Sequence, residues 1–148
     1  MEIASSIAVN IHQGALVRTA TPTAAIVDLA AGPYNEATFL LITGPGGITF
    51  TGTNKLEWVL THSNNGTDFD AVTADDLRSS TGGAVTVAAG GVVEAYTSAK
   101  SATSCGQYAY VGRRRYLRAQ PTYGGTHATG TVTGAYVLLS GALRGPVD

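Results

Sequence analysis

The chain has 148 residues, 44% of them hydrophobic and 13% charged, with a formal net charge of −1. A mean hydropathy of +0.12 excludes intrinsic disorder, because enough apolar surface is available to offset the entropy of ordering. The small charge excludes the long-range field that a general nucleic-acid or membrane-surface binder uses. Nineteen glycines, many threonines and few Lys or Glu argue against a helical bundle, since Thr loses rotamer freedom in a helix and Gly costs about 1 kcal/mol there relative to Ala. Cys105 is the single cysteine, so neither an internal disulfide nor a cysteine zinc site is available, and it reads as small buried filler. No apolar stretch reaches the roughly 18 residues of a membrane span, and the start Met1-Glu2-Ile3-Ala4 reads as neither signal peptide nor anchor.

In chain order, short β-prone runs bounded by Gly, Pro, Asn or Asp predict strands over Ile7–Ile11, Ala15–Thr19, Ala24–Leu29 and Ala37–Thr43. Gly44-Pro45-Gly46-Gly47 is read as the turn that closes the last of these. Lys55–His62 is the clearest amphipathic strand. Leu56, Trp58 and Leu60 share one face, Glu57, Val59 and Thr61 the other, and Trp58 is expected as a core anchor. Ser63-Asn64-Asn65-Gly66 predicts a reversal into Asp68–Val72, and Thr73 with Asp76 has a capping-box-like spacing for one helical turn. Ser79–Gly91 reads as a small, Gly-rich excursion, a candidate flexible arm, holding a strand Ala84–Ala88. Val92–Tyr96, Gln107–Val111, Arg115–Gln120 and Thr131–Ser140 complete the set. The expected fold is all-β, an antiparallel, jelly-roll-like β-sandwich in one domain. Residues 1–13 form an N-terminal arm or first strand, 14–140 the sandwich and 141–148 an extended tail.

Residues with chemical potential are scattered. His12, His62 and His127 lack metal-site spacing, and Gly44–Gly47 is not a phosphate-binding loop. Asp68, Asp70, Asp75 and Asp76 are oxygen-rich, but Ser79 stands where a calcium loop starting at Asp68 needs its final Glu, so a cation there stays open beside a solvated loop. No catalytic constellation or cofactor site is expected. The one charge run is Arg113-Arg114-Arg115-Tyr116-Leu117-Arg118, four of the nine basic residues. An extended segment puts Arg114, Tyr116 and Arg118 on one face and Arg113, Arg115 and Leu117 on the other, too divided for a nucleic-acid groove. Pairing of the arginines with carboxylates of a partner subunit fits the guanidinium fork better.

Three stretches resemble small head-associated proteins of tailed bacteriophages: Leu56–Phe69, Tyr110–Arg118 with its Tyr-Val-Gly-x-x-Arg-Tyr-x-Arg pattern, and Gly130–Leu139. Ser140-Gly141-Ala142 replaces that family's usual Gly-His-Pro, and Ser79–Gly91 also departs from its pattern. The resemblance implies a virion protein made in the bacterial host cytoplasm, a capsid decoration or cement protein that binds the major capsid protein. By analogy with cement proteins it is expected to be a homotrimer, and the residues themselves lead to the expectation of no enzyme activity, no cofactor and no direct contact with nucleic acid or membrane. Arg113, Arg114, Tyr116, Arg118 and Arg144 are the expected interface residues, with intradomain framework as the alternative for Arg114 and Tyr116. Two rival readings remain: a carbohydrate-binding sandwich, which needs an exposed Trp58 or Tyr, and a tail or head–tail connector part, which differs in copy number.

Overall fold

A computed structural model describes residues 7–32, 34, 36–46 and 50–141. Among them are ten strands: β1 (Ala8–Arg18), β2 (Val27–Asp28), β3 (Glu36–Gly46), β4 (Lys55–Ser63), β5 (Asp70–Ala71), β6 (Leu77–Ser79), β7 (Val92–Tyr96), β8 (Ser104–Tyr110), β9 (Tyr116–Gly124) and β10 (Thr131–Ser140). The first sheet has the order β1-β10-β3-β8-β6. The second has β2-β9-β4, with β5 and β7 sharing the far side of β4. All pairings are antiparallel, and only the β4-to-β5 connection stays within one sheet. That alternation between two packed sheets is the jelly-roll arrangement expected from the sequence. No helix of the described residues is long and apolar enough to cross a membrane.

Period-two alternation builds the core. Phe39 and Leu41 of β3, Leu56, Trp58 and Leu60 of β4, Leu117 and Ala119 of β9, and Ala135 and Val137 of β10 are all fully buried between the sheets. Trp58 anchors this layer as expected, and its Nε1–H donates to Thr43 Oγ1 at 2.8 Å, tying the second sheet to the first. The reversal after β4 is held by Ser63 Oγ, which accepts from the N–H groups of Asn65 and Gly66, and by Gly66 at φ +75°. One 3₁₀ turn follows at Ala74–Asp76. The Asp76 carboxylate accepts from both the N–H and the hydroxyl of Thr73 at 2.8 Å.

Several expectations are corrected. Gly44-Pro45-Gly46 is not a turn but the end of β3, and Gly47 lies outside the described residues. The register passes from Thr133↔Thr43 to Thr131↔Gly46, so Gly44 and Pro45 bulge opposite Val132, and a Cβ on Gly44 would come within 2.9 Å of the Val132 side chain. Since β8 stops pairing at Thr43, the missing N–H of Pro45 costs β8 no ladder bond. The two predicted N-terminal strands are one, β1, running through register shifts between Ile11 and Leu16. Ala24–Leu29 shrinks to β2, because Asp28 turns the chain by accepting Ala30 N–H at 2.9 Å and Leu29 opens a 3₁₀ turn. Ala84–Ala88 is not a strand. Apart from one bridge, Ala88↔Val92, it packs without a ladder, with Val85 buried in the core. Nor is Ser79–Gly91 a free arm, for Leu60 N–H donates to Gly91 O at 2.9 Å and Gly91, at φ +83°, approaches the β4 backbone too closely for any side chain. β9 continues past Gln120 through Pro121. Ala119 N–H and Tyr123 N–H both face the edge away from β4, so the Pro121 nitrogen falls where no ladder donor is needed.

Candidate interaction surfaces

The alternation that buries one set of side chains presents the other. On the outside of the first sheet the register lays down three rows: Val9, Leu138, Thr38 and Ala109; Ile11, Tyr136, Leu40 and Gln107; then Gly134, Ile42 and Cys105. None of these residues carries a formal charge. Val9 and Ile11 are 60% and 68% exposed, while Leu138, Tyr136, Leu40 and Ile42 are half-buried by their neighbours on the face. Charge returns at the rim with Glu36, opposite Ser140, and with Arg78, whose guanidinium folds back to donate to Leu77 O at 2.6 Å. Cys105 lies exposed on this face rather than buried, because in β8 the inward positions fall to Gly106, Tyr108 and Tyr110.

The outside of the second sheet is polar. Lys55 pairs with Glu57 at 2.8 Å, and Arg118 donates from Nε to Thr61 Oγ1 at 3.1 Å while its guanidinium lies 4.3 Å from the Phe69 ring centre. Tyr116 and Arg118 share this face as expected, with Leu117 turned inward. Arg113, Arg114 and Arg115, however, precede β9 and do not follow its alternation. Arg114 pairs with Asp70, and Arg115 clasps Asp28 with two bonds of 2.7 and 2.6 Å while lying 4.8 Å from the Tyr116 ring centre. The hydrogen bonds from Arg115 hold the Asp28 carboxyl below its usual range. Two arginines thus have carboxylate partners within their own chain. Arg113 is exposed and, among the described residues, has none; Arg118 has no carboxylate there either. The three arginines, Gly112, Leu29 and Ala30 line an open cleft of about 310 Å³. Arg144 lies outside the described residues.

The histidines are separate and each is bound into the framework. His12 of β1 reaches across to the edge of β9 that faces away from β4, its Nε2 3.0 Å from Ala119 N and 3.1 Å from Ala119 O. Nε2 can accept from that N–H or donate to that carbonyl, not both, and burial lowers its pKa, disfavouring the charged ring. His62 Nδ1 is 2.8 Å from Tyr110 Oη, and burial lowers its pKa too. His127 Nε2 lies 2.7 Å from Gly124 O with its ring edge-on to Tyr123. Asp68 accepts from Asn65 at 2.8 Å, Asp70 from Arg114, and Asp76 from Thr73. Among the described residues no three His, Cys, Asp or Glu side chains converge.

One polar cluster has no signal in the sequence. Glu94 of β7 sits opposite Trp58 and so points between the sheets, where its carboxylate accepts from Tyr96 Oη at 2.5 Å and Tyr108 Oη at 2.9 Å. Burial, reinforced by this carboxylate, pushes Tyr96 up to about 12 and raises Tyr108 as well. Gly106 leaves the room, since a Cβ there would lie 1.6 Å from Glu94 Oε1. The pattern Val-Val-Glu-Ala-Tyr reveals an inward Glu only once the register with β4 is known. Trp58, fully buried with its N–H satisfied, is not at the surface to stack on a sugar ring.

Compared with known protein families, with curated proteins and with solved structures, the chain finds no match.

Proposed function

We propose that this chain is a structural protein of a virion, a capsid decoration or cement protein that seats on the lattice of the major capsid protein and stabilises the head. The observation that carries the reading is the uncharged, largely apolar outer face of the β1-β10-β3-β8 sheet, set against a charged face on the other side of the same sandwich. A surface without charge suits a protein partner better than an ionic one, and many copies on a repetitive shell add their weak contacts by avidity. The resemblance of Leu56–Phe69, Tyr110–Arg118 and Gly130–Leu139 to head-associated phage proteins supports the same role. The reading includes a homotrimer at local three-fold positions and action by binding rather than catalysis. Arg113 and Arg118, which have no carboxylate partner among the described residues, would be available to acidic groups of a neighbouring subunit.

The test is co-sedimentation of the purified protein with empty shells of the phage that encodes it. Saturable binding at hundreds of copies per particle is expected. A dozen copies or fewer would indicate a connector, and failure to bind any assembled shell would remove the cement reading.

A further inference from the structure

The edges of the two sheets differ. Among the described residues β2, β5 and β6 are two or three residues long and β7 five, short edges of the kind that discourages pairing with another chain, whereas β1 runs for eleven. Its two halves also differ. In the C-terminal half the strand is bulged, and Arg18 lies over the edge, donating to Gly14 O at 3.0 Å, Leu16 O at 3.4 Å and Thr133 O at 2.5 Å. In the N-terminal half, the Ala8–Ile11 ladder with β10 is regular, and beyond that ladder the backbone groups of these residues have no partner among the described residues. The stretch itself contains no Lys, Pro or charged residue, and Ile7, Val9 and Ile11 are 44%, 60% and 68% exposed.

We propose that Ile7–Ile11, the start of β1 with the residue before it, pairs antiparallel with the same stretch of a second copy across a two-fold axis through Val9. The β-branched residues Ile7, Val9 and Ile11 are placed symmetrically about Val9, with Ala8 and Asn10 between them. Self-pairing therefore sets Ile7 opposite Ile11 of the partner subunit, Val9 opposite Val9 of the partner subunit, and Ala8 opposite Asn10 of the partner subunit, giving β-branched pairs on one face with no like charges opposed. A foreign strand has no such requirement to mirror this one, and the symmetry favours a second copy. The pairing is also continuous with the apolar outer face: it joins two five-stranded sheets into one, with both uncharged faces on the same side. Five residues span only ~17 Å of strand. That buries less than the roughly 800 Å² per partner of a standard interface, which places the contact in the weak class formed at high local concentration. It adds a copy-to-copy contact to the role proposed above without depending on it.

The experiment uses the full chain with Cys105→Ser as background, since that thiol is exposed. Val9→Cys should oxidise to a covalent dimer at high protein concentration, whereas Val17→Cys, equally exposed but on the guarded half, should not. In parallel, sedimentation across a concentration series should show reversible self-association weakened about tenfold or more by Val9→Lys, which opposes two like charges. A mass that does not change with concentration, or cross-linking of Val17→Cys as fast as Val9→Cys, overturns the proposal. Loss of shell binding in Val9→Lys with a parent whose mass is independent of concentration overturns it too, assigning the edge to the shell protein. Cross-linking at Val9 in a chain that never binds shells would uphold the pairing and reject the decoration role.

Discussion

The two outer faces of this sandwich are built by the same rule and end in opposite chemistry. In both sheets every second side chain points to a shared core, so each inner face supplies apolar packing: Phe39, Leu41 and Val137 from one, Leu56, Leu60 and Leu117 from the other. Outside, the second sheet shows the pattern of a solvated surface, with the Lys55–Glu57 pair and Arg118 over Phe69. The first sheet shows Val9, Ile11, Leu40, Ile42, Tyr136 and Leu138. Core packing demands nothing of either outer face, so the difference between them is information about function rather than about folding.

Variants can break or sharpen that contrast. The largest effect is expected where both faces depend on one side chain. Trp58→Ala removes the ring that fills the layer between the sheets and the hydrogen bond it donates to Thr43, and should cost about 3–5 kcal/mol in denaturant unfolding, abolishing both faces together. Next, Gly106→Ala drives a methyl against Glu94 and pushes its carboxylate off Tyr96 and Tyr108. A loss of about 1–3 kcal/mol is expected, whereas Gly52→Ala, with open space around it, should be neutral within error.

Acid should weaken the contact between β1 and β9. His12 and His62 both have folded-state pKa values lowered from 6.5, chiefly by burial. The unfolded chain takes up these protons near pH 6.5 and the folded chain only at lower pH, so their contribution is intact above that value and is lost as pH falls below it. Urea midpoints at falling pH should drop below about pH 6.5. His12→Gln should flatten part of that slope and leave the part due to His62. The smallest effect is expected at the rim, where Asp28→Asn breaks an exposed fork with Arg115; it should give only a slight shift in melting temperature that vanishes at high salt.

What was legible in the sequence follows from the same physics. β4 could be read residue by residue, because strict alternation around Trp58 needs no knowledge of its partners. The Thr73–Asp76 turn was legible because its capping is local. Features set by register were not. Gly44 and Pro45 look like a turn until Val132 is placed opposite them, and Cys105 looks like filler until β8 is found to turn Gly106 inward. Arg113–Arg115 look like alternating strand residues until the chain is seen to enter β9 only at Tyr116. Glu94 carried no sign of burial. The uncharged face itself is assembled from β1, β10, β3 and β8, segments far apart in the chain, and no one of them announces it.

The central claim is that this face, and not the charged one opposite, meets the shell. Its most direct test is shell co-sedimentation of two variants with the same new charge on opposite faces, Tyr136→Lys and Thr122→Lys. The account predicts that Tyr136→Lys loses binding while Thr122→Lys binds as the parent does, with both folded as judged by unchanged melting. Loss confined to Thr122→Lys, or a parent protein that never sediments with shells, would contradict it.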